Sequence, residues 1–132
     1  MEIITNSFEE TINVAKDFAK TLQPGDVVLL DGDMGAGKTV FAKGVALALG
    51  ITDEVTSPTY AYMNDYYGKL YHYDCYRLTC GEDAEALGLT DYFYMKGICL
   101  IEWAQNVKDV LPKNCKRVQI LKLDENVRKI IL

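Results

Sequence analysis

The segment at residues 32–39 constrains this chain most, and it reads Gly-Asp-Met-Gly-Ala-Gly-Lys-Thr. It matches the phosphate-loop pattern G-x-x-x-x-G-K-[ST]. An apolar run at 27–30 precedes it, and an amphipathic stretch at 38–49 follows it and stops at Gly50. A strand, a glycine-rich turn and a helix in this order aim backbone N–H groups and a helix N-terminus at phosphate oxygens. The sequence therefore predicts a site for a nucleoside triphosphate.

Each residue type in this loop has a physical role. Glycine allows the backbone to approach phosphates closely. We expect Lys38 to reach the β- and γ-phosphates and the Thr39 hydroxyl to ligate Mg²⁺. The predicted nucleotide-contacting residues of the loop are Gly35, Ala36, Gly37, Lys38, Thr39 and Val40.

Phosphate-loop chemistry also needs an acid near the metal. Glu102 directly follows the apolar run at 98–101, and Asp74 ends a predicted strand at 70–73. We expect Asp74, Glu102 and Thr39 to be the metal-side residues. We expect Lys38, Asp74 and Glu102 to be the catalytic residues. One carboxylate would hold Mg²⁺, directly or through water, and the other would orient the attacking water. The alternatives are a solvated strand-end carboxylate for Glu102 and a turn or cap aspartate for Asp74.

Strands alternating with helices predict an α/β fold, with a mainly parallel sheet of the P-loop NTPase type flanked by helices. We also expect an inserted β-hairpin and antiparallel C-terminal strands. A length of 132 residues predicts a single domain over residues 1–132. The predicted elements are a helix at 8–22 opened by a Ser7/Glu10 capping box, a strand at 27–30, a helix at 38–49, the hairpin at 59–74, a short helix at 81–89, a strand at 98–101 and strands at 117–123 and 127–132.

Composition excludes several classes of function. A net charge of −5 disfavours tight binding of bare nucleic acid by this chain alone. The four cysteines lack CxxC spacing and only one histidine accompanies them, which disfavours a zinc site; Cys99 is expected in the core. The N-terminus does not look like a signal peptide, and no apolar stretch reaches membrane-spanning length. We therefore expect a cytoplasmic protein with reduced thiols and no membrane contact.

Three further features of the sequence each have two interpretations. The hydroxyl-rich turn at 56–60 suits either plain turn chemistry or a γ-phosphate sensor. His72 lies among tyrosines, which favours a satisfied hairpin histidine over catalysis. Trp103 is either a core residue or a cover for the nucleotide site.

Several motifs follow the loop in fixed order: Ser-Pro-Thr-Tyr at 57–60, His-Tyr-Asp-Cys-Tyr-Arg-Leu at 72–78 and Ile-Glu-Trp at 101–103. With the loop, they closely resemble the TsaE (YjeE) family from Ser7 to about Arg128. This resemblance implies a small P-loop ATPase of the bacterial machinery that makes threonylcarbamoyladenosine beside the tRNA anticodon. It implies that the protein has only weak ATPase activity by itself and that it acts together with TsaB and TsaD. In that machinery, TsaD performs the transfer onto tRNA. Contact with tRNA would then be indirect, through the complex.

The resemblance also implies residue roles. Lys38 and Thr39 match the family's essential loop residues, and Asp74 and Glu102 match its functional acids. Trp103 matches the family tryptophan that follows the second acid. Phe8 and Thr11 lie where the family approaches the nucleotide base. Arg128 aligns loosely with a C-terminal arginine near the nucleotide.

Val40 departs from the family pattern, which usually has a second hydroxyl residue there. Valine cannot offer a hydroxyl to the α-phosphate, although its backbone N–H can still donate. We expect nucleotide binding to weaken by one hydrogen bond, about 0.5–1.5 kcal/mol.

Two other functions share the loop. A small-molecule P-loop kinase would use a lid and several arginines, yet the chain has only three arginines and none in an obvious lid. A nucleotide-dependent binding switch with negligible hydrolysis is the second alternative. A GTPase is disfavoured because no Asn-Lys-x-Asp motif occurs.

Overall fold

The computed structural model describes residues 1–58 and 61–132, and they form two compact units. The first comprises Met1–Leu22, Asp31–Thr56 and Arg117–Leu132, and the second comprises Gln23–Leu30 and Ser57–Lys116. The fold class is mixed α/β, as predicted.

In chain order the elements are β1 (Glu2–Thr5), α1 (Phe8–Ala19), β2 (Val27–Asp31), α2 (Lys38–Ala48), β3 (Met63–Tyr66), β4 (Leu70–Asp74), α3 (Gly81–Ala86), β5 (Ile98–Glu102), β6 (Lys116–Lys122) and β7 (Arg128–Ile131), with short 3-10 helices at Leu89–Tyr94 and Ala104–Val110.

Helix α1 starts as the capping box predicts. The Ser7 hydroxyl accepts a hydrogen bond from the Glu10 backbone N–H at 3.1 Å, which satisfies one donor of the first turn. The Glu10 carboxylate reaches back to the N–H of Asn6 rather than to that of Ser7. The helix ends at Ala19 instead of 22, because Thr21 and Leu22 bond three residues back in a turn.

Helices α1 and α2 pack closely in the first unit. The rings of Phe18 and Phe41 lie 5.9 Å apart. A Cβ built on Gly44 would lie 2.5 Å from Ala15 Cβ and 2.6 Å from the Ile12 carbonyl oxygen. Gly44 is therefore required where the two helices touch, and this contact holds the helix that follows the phosphate loop.

The strands of the first unit are antiparallel. Strand β7 lies between β1 and β6, with Ile130 opposite both Ile3 and Ile120. The predicted C-terminal pair is thus confirmed. Strand β1 was not predicted, and its partner β7 lies at the other end of the chain.

The second unit contains the parallel strands, in the order β2-β5-β4, with β3 antiparallel to β4 at the edge. The inserted hairpin is confirmed as β3 and β4, although Thr59 and Tyr60 of its predicted range lie outside the described residues. Nearly every residue of β2, β4 and β5 is buried, as expected for strands covered on both faces.

One apolar cluster fills the second unit. It includes Tyr73, Phe93, Cys99 and Ile101. The Tyr73 hydroxyl donates to the Leu89 carbonyl at 3.0 Å, so this buried phenol is satisfied. Burial raises the pKa of the Cys99 thiol to about 12, which keeps it neutral as the predicted core residue.

Within residues 1–58 and 61–132, no helix combines the length and apolarity that a bilayer crossing requires. The single domain over residues 1–132 stays a prediction.

We expect Gly44→Ala to lower the free energy of unfolding by about 1–3 kcal/mol through overpacking against α1. The same change at an open helix position would stabilise by about 0.5–1 kcal/mol. Urea unfolding measures the difference, with Lys43→Ala on the exposed side of α2 as the control. An unchanged or raised stability for Gly44→Ala would contradict the close contact.

Candidate nucleotide-binding site

The phosphate loop connects β2 to α2. Gly35 and Gly37 have φ of 79° and 107°, a left-handed backbone that glycine adopts without strain. A Cβ on Gly32 would lie 2.8 Å from the Ile120 carbonyl oxygen, so the loop backbone leaves no room for a side chain there. Helix α2 starts directly after Gly37, and its first N–H groups lack intrahelical acceptors. This geometry fits a phosphate group.

The side chains after the loop differ in exposure. Lys38 is only 7% exposed. Thr39 is exposed and Val40 is half-buried. The exposed Thr39 hydroxyl suits a metal ligand, whereas Val40 leaves only its backbone N–H as a donor at that position.

Arg128 supports the loop from β7. It is 5% exposed, and its Nε donates to the Ala36 carbonyl oxygen at 2.8 Å. Its Nη1 donates to the carbonyl oxygens of Asp124, Glu125 and Val127 at 2.9, 3.1 and 3.2 Å. Arg128 thus binds the loop to the β6–β7 turn and places a positive charge beside it. Direct contact of Arg128 with a nucleotide stays a prediction.

The two predicted base-contacting residues lie in different environments. Phe8 is 58% exposed, and Thr11 is 2% exposed. The Thr11 hydroxyl lies 2.8 Å from that of Thr5, so it ties α1 to β1. Phe8 therefore offers a ring at the surface, while Thr11 has a local structural contact; their roles toward a base stay predictions.

The two acids are brought together in the second unit. Asp74 ends β4, Glu102 ends β5, and they are partners across this parallel pair. Leu30 of β2 is the partner of Glu102 on the other side. The carboxyl ends of parallel strands are where open α/β sheets bind ligands. Asp74 and Glu102 thus occupy neighbouring positions at such an edge.

Asp74 is half-buried and accepts two hydrogen bonds. The Ser57 hydroxyl donates to Oδ2 at 3.2 Å and the Tyr76 backbone N–H donates to Oδ1 at 3.0 Å. The aspartate therefore ties the Ser57 side chain to the backbone two residues after it, while its role toward a metal or water stays a prediction. Ser57 belongs to the hydroxyl-rich turn, whose Thr59 and Tyr60 lie outside the described residues.

Glu102 is 4% exposed and pairs with a residue whose role sequence reasoning missed. Its Oε2 lies 2.6 Å from Nε2 of His72, which is fully buried. The expectation of a satisfied hairpin histidine needs correction, because among the described residues His72 Nδ1 has no hydrogen-bond partner. The available signal was spacing: His72 precedes Asp74 by two residues in a strand, which puts both on one face.

Trp103 follows Glu102 in a strained conformation. Its φ of 57° and ψ of 38° are left-handed, which a bulky residue rarely adopts. Its ring packs edge-on against Tyr76 at 4.9 Å. Such backbone strain is often found at functional sites.

Cys75 lies beside both acids but is no nucleophile. Burial, with the charges of Asp74 and Glu102, raises the pKa of its thiol to about 12. A thiol with this pKa remains neutral near pH 7.

The donor set fits the chemistry of Mg²⁺. A threonine hydroxyl and two carboxylates are hard oxygen donors, and Mg²⁺ is usually held by one or two carboxylates together with substrate phosphates. Asp74 and Glu102 of the second unit carry such oxygens, and so does Thr39 of the first; that the three hold one Mg²⁺ stays a prediction.

We expect Arg128→Met to lower the free energy of unfolding by about 1–3 kcal/mol, because it leaves the carbonyl group of the buried Ala36 without its donor. Arg117→Met is the control, since Arg117 is exposed and pairs with Asp31 at the surface, where an ion pair contributes at most about 1 kcal/mol. Denaturant unfolding measures both variants. Equal small effects would show that Arg128 does not support the loop.

Comparison with known proteins gives a consistent result. The family model described as "Threonylcarbamoyl adenosine biosynthesis protein TsaE" matches residues 5–130. A Bacillus subtilis protein named tRNA threonylcarbamoyladenosine biosynthesis protein TsaE is 43% identical, over 92% of this chain and 78% of its own. The protein of that name from Treponema pallidum is 38% identical, over 98% of each chain. A crystal structure of Bacillus subtilis YdiB superimposes with a TM-score of 0.83 at 38% identity, covering 98% of this chain and 82% of that one. The chain belongs to the TsaE family.

Proposed function

We propose that this protein binds ATP with Mg²⁺, hydrolyses it and serves as the ATPase subunit in tRNA threonylcarbamoyladenosine formation. The observation that carries the proposal is the complete phosphate-loop motif leading into the N-terminus of α2. Family membership supports the biological role, since the similar proteins are named for this pathway.

The loop and α2 bind the triphosphate in this proposal. The backbone N–H groups of residues 35–40 donate to phosphate oxygens, and the start of α2 adds its dipole. Lys38 is 7% exposed and begins α2. Its ammonium group contacts the β- and γ-phosphates. Thr39 supplies a metal ligand. Bound Mg²⁺ would neutralise charge that develops on the phosphates.

Glu102 and Asp74 supply the acids. Glu102 is the metal-side carboxylate, and Asp74 orients the water that attacks the γ-phosphorus. The products are ADP and inorganic phosphate. Asp74 is held by Ser57 and Tyr76, so its carboxylate has a defined orientation, which this chemistry requires because it depends mostly on positioning.

The partners in the proposal are TsaB and TsaD. The modified base is the tRNA adenosine next to the anticodon, and this chain meets tRNA only through the complex. The net charge of −5 is in keeping with an indirect role, since direct binding of phosphates needs a basic surface.

One experiment tests the function as a whole. The protein is incubated with ATP labelled at the γ-phosphate and a mixture of small metabolites, with and without purified TsaB and TsaD, and the products are separated. We expect free phosphate, at a rate that the two proteins increase. Label transferred to a metabolite would instead establish a kinase, and a flat time course under all conditions would establish a binding switch.

Lys38→Ala should lower ATP turnover by about 10²–10³-fold, because it removes a charge that stabilises the transferring phosphoryl group. Lys43→Ala, at an exposed position of the same helix, is the matched control. Phosphate release measures both. Unchanged turnover in Lys38→Ala would overturn the central role of the loop.

Glu102→Gln should lower Mg²⁺-dependent turnover while the protein remains folded, because an amide keeps the shape and loses the charge. Glu85→Gln, an exposed carboxylate on α3, is the control. Turnover measured against Mg²⁺ concentration, with circular dichroism for folding, separates the two. Normal turnover would make Glu102 a structural carboxylate.

A further inference from the structure

The contact between His72 and Glu102 joins two buried polar side chains. His72 is 0% exposed and Glu102 is 4% exposed, and His72 Nε2 lies 2.6 Å from Glu102 Oε2. A hydrogen bond to a carboxylate at this distance is a strong one. The two residues are thirty positions apart in sequence, so the fold brings them together.

Strand register explains how the pair forms. His72 of β4 lies opposite Leu100 of β5, and Asp74 lies opposite Glu102. Because alternate residues of a strand share a face, His72 and Glu102 are diagonal neighbours on one face, within reach of long side chains. Both belong to central strands rather than loops, and sites on such elements hold their geometry more accurately.

The contacts of the His72 ring indicate which of its two nitrogens carries the hydrogen. Among the described residues His72 Nδ1 has no partner. A hydrogen on Nδ1 would bury an unpaired donor, which is unfavourable. A hydrogen on Nε2 is instead used in the bond to Glu102, and Nδ1 keeps only a lone pair.

We propose that His72 is a positioning residue: it donates from Nε2 to Oε2 of Glu102 and thereby fixes the orientation of that carboxylate. The inference rests on the proposed metal-side role of Glu102. Hydrogen bonds to a metal-ligating group of this kind orient it, and their loss typically costs about 10–100-fold in metal affinity or activity.

Two variants of similar polarity distinguish a role of His72 in orienting the Glu102 carboxylate from a role in filling buried space. In His72→Gln the amide nitrogen can take the place of Nε2 and still donate to Glu102. In His72→Asn the shorter side chain offers its amide nearer the place of Nδ1. We expect His72→Gln to keep most of the Mg²⁺-dependent kcat and His72→Asn to lose about 10–100-fold. Equal kcat in the two variants, whether high or low, would overturn the proposal.

A second measurement needs no turnover. His72 is the only histidine of the chain, so its ring nitrogens give the only imidazole signals in a ¹⁵N NMR spectrum. We expect a hydrogen-bearing Nε2 and a bare Nδ1 in the wild-type protein, and a changed Nε2 signal in Glu102→Ala. A wild-type ring with its hydrogen on Nδ1 would overturn the proposal.

Different results would overturn the proposed function and the positioning role of His72. Normal turnover in both Lys38→Ala and Glu102→Gln would remove the proposed function, whatever the histidine signals show. Impaired turnover in Glu102→Gln with wild-type turnover in both His72 variants would remove the positioning role alone.

Discussion

The parallel pairing of β4 with β5 is the constraint on which the grouping of His72, Asp74 and Glu102 depends. It sets Asp74 opposite Glu102 and brings His72 within hydrogen-bond reach of the Glu102 carboxylate. A shift of one residue in this register would put Glu102 on the face opposite to His72 and Asp74 and separate it from both. The buried apolar residues of both strands oppose such a shift.

The phosphate loop depends on a different set of contacts. Gly44 lets α2 lie against α1, and Arg128 holds the Ala36 carbonyl from β7. The carbonyls that Arg128 binds are neutral, so its charge is not cancelled by a carboxylate in these bonds. The loop is therefore supported by a cation, which is a favourable environment for a triphosphate.

Local signals account for what could be predicted. The loop motif, the apolar runs of β2 and β5 and the break at residues 67–69 each lie within a few neighbouring residues, and each element was located. Strand β1 and the His72–Glu102 bond were missed because they depend on pairing between distant segments. The four residues of β1 show no strong alternation, and β4 reaches β5 only through α3 and a 3-10 helix. The short 3-10 helices carry no periodicity that a sequence pattern could reveal.

The position of the only tryptophan has a practical consequence. Trp103 directly follows Glu102, and its indole packs against the Tyr76 ring in a left-handed turn. Indole emission responds to the polarity and rotation of its surroundings, and no second tryptophan obscures it. The protein thus carries its own fluorescent reporter one peptide bond from a candidate functional carboxylate, and events at this strand end can be followed optically without a label.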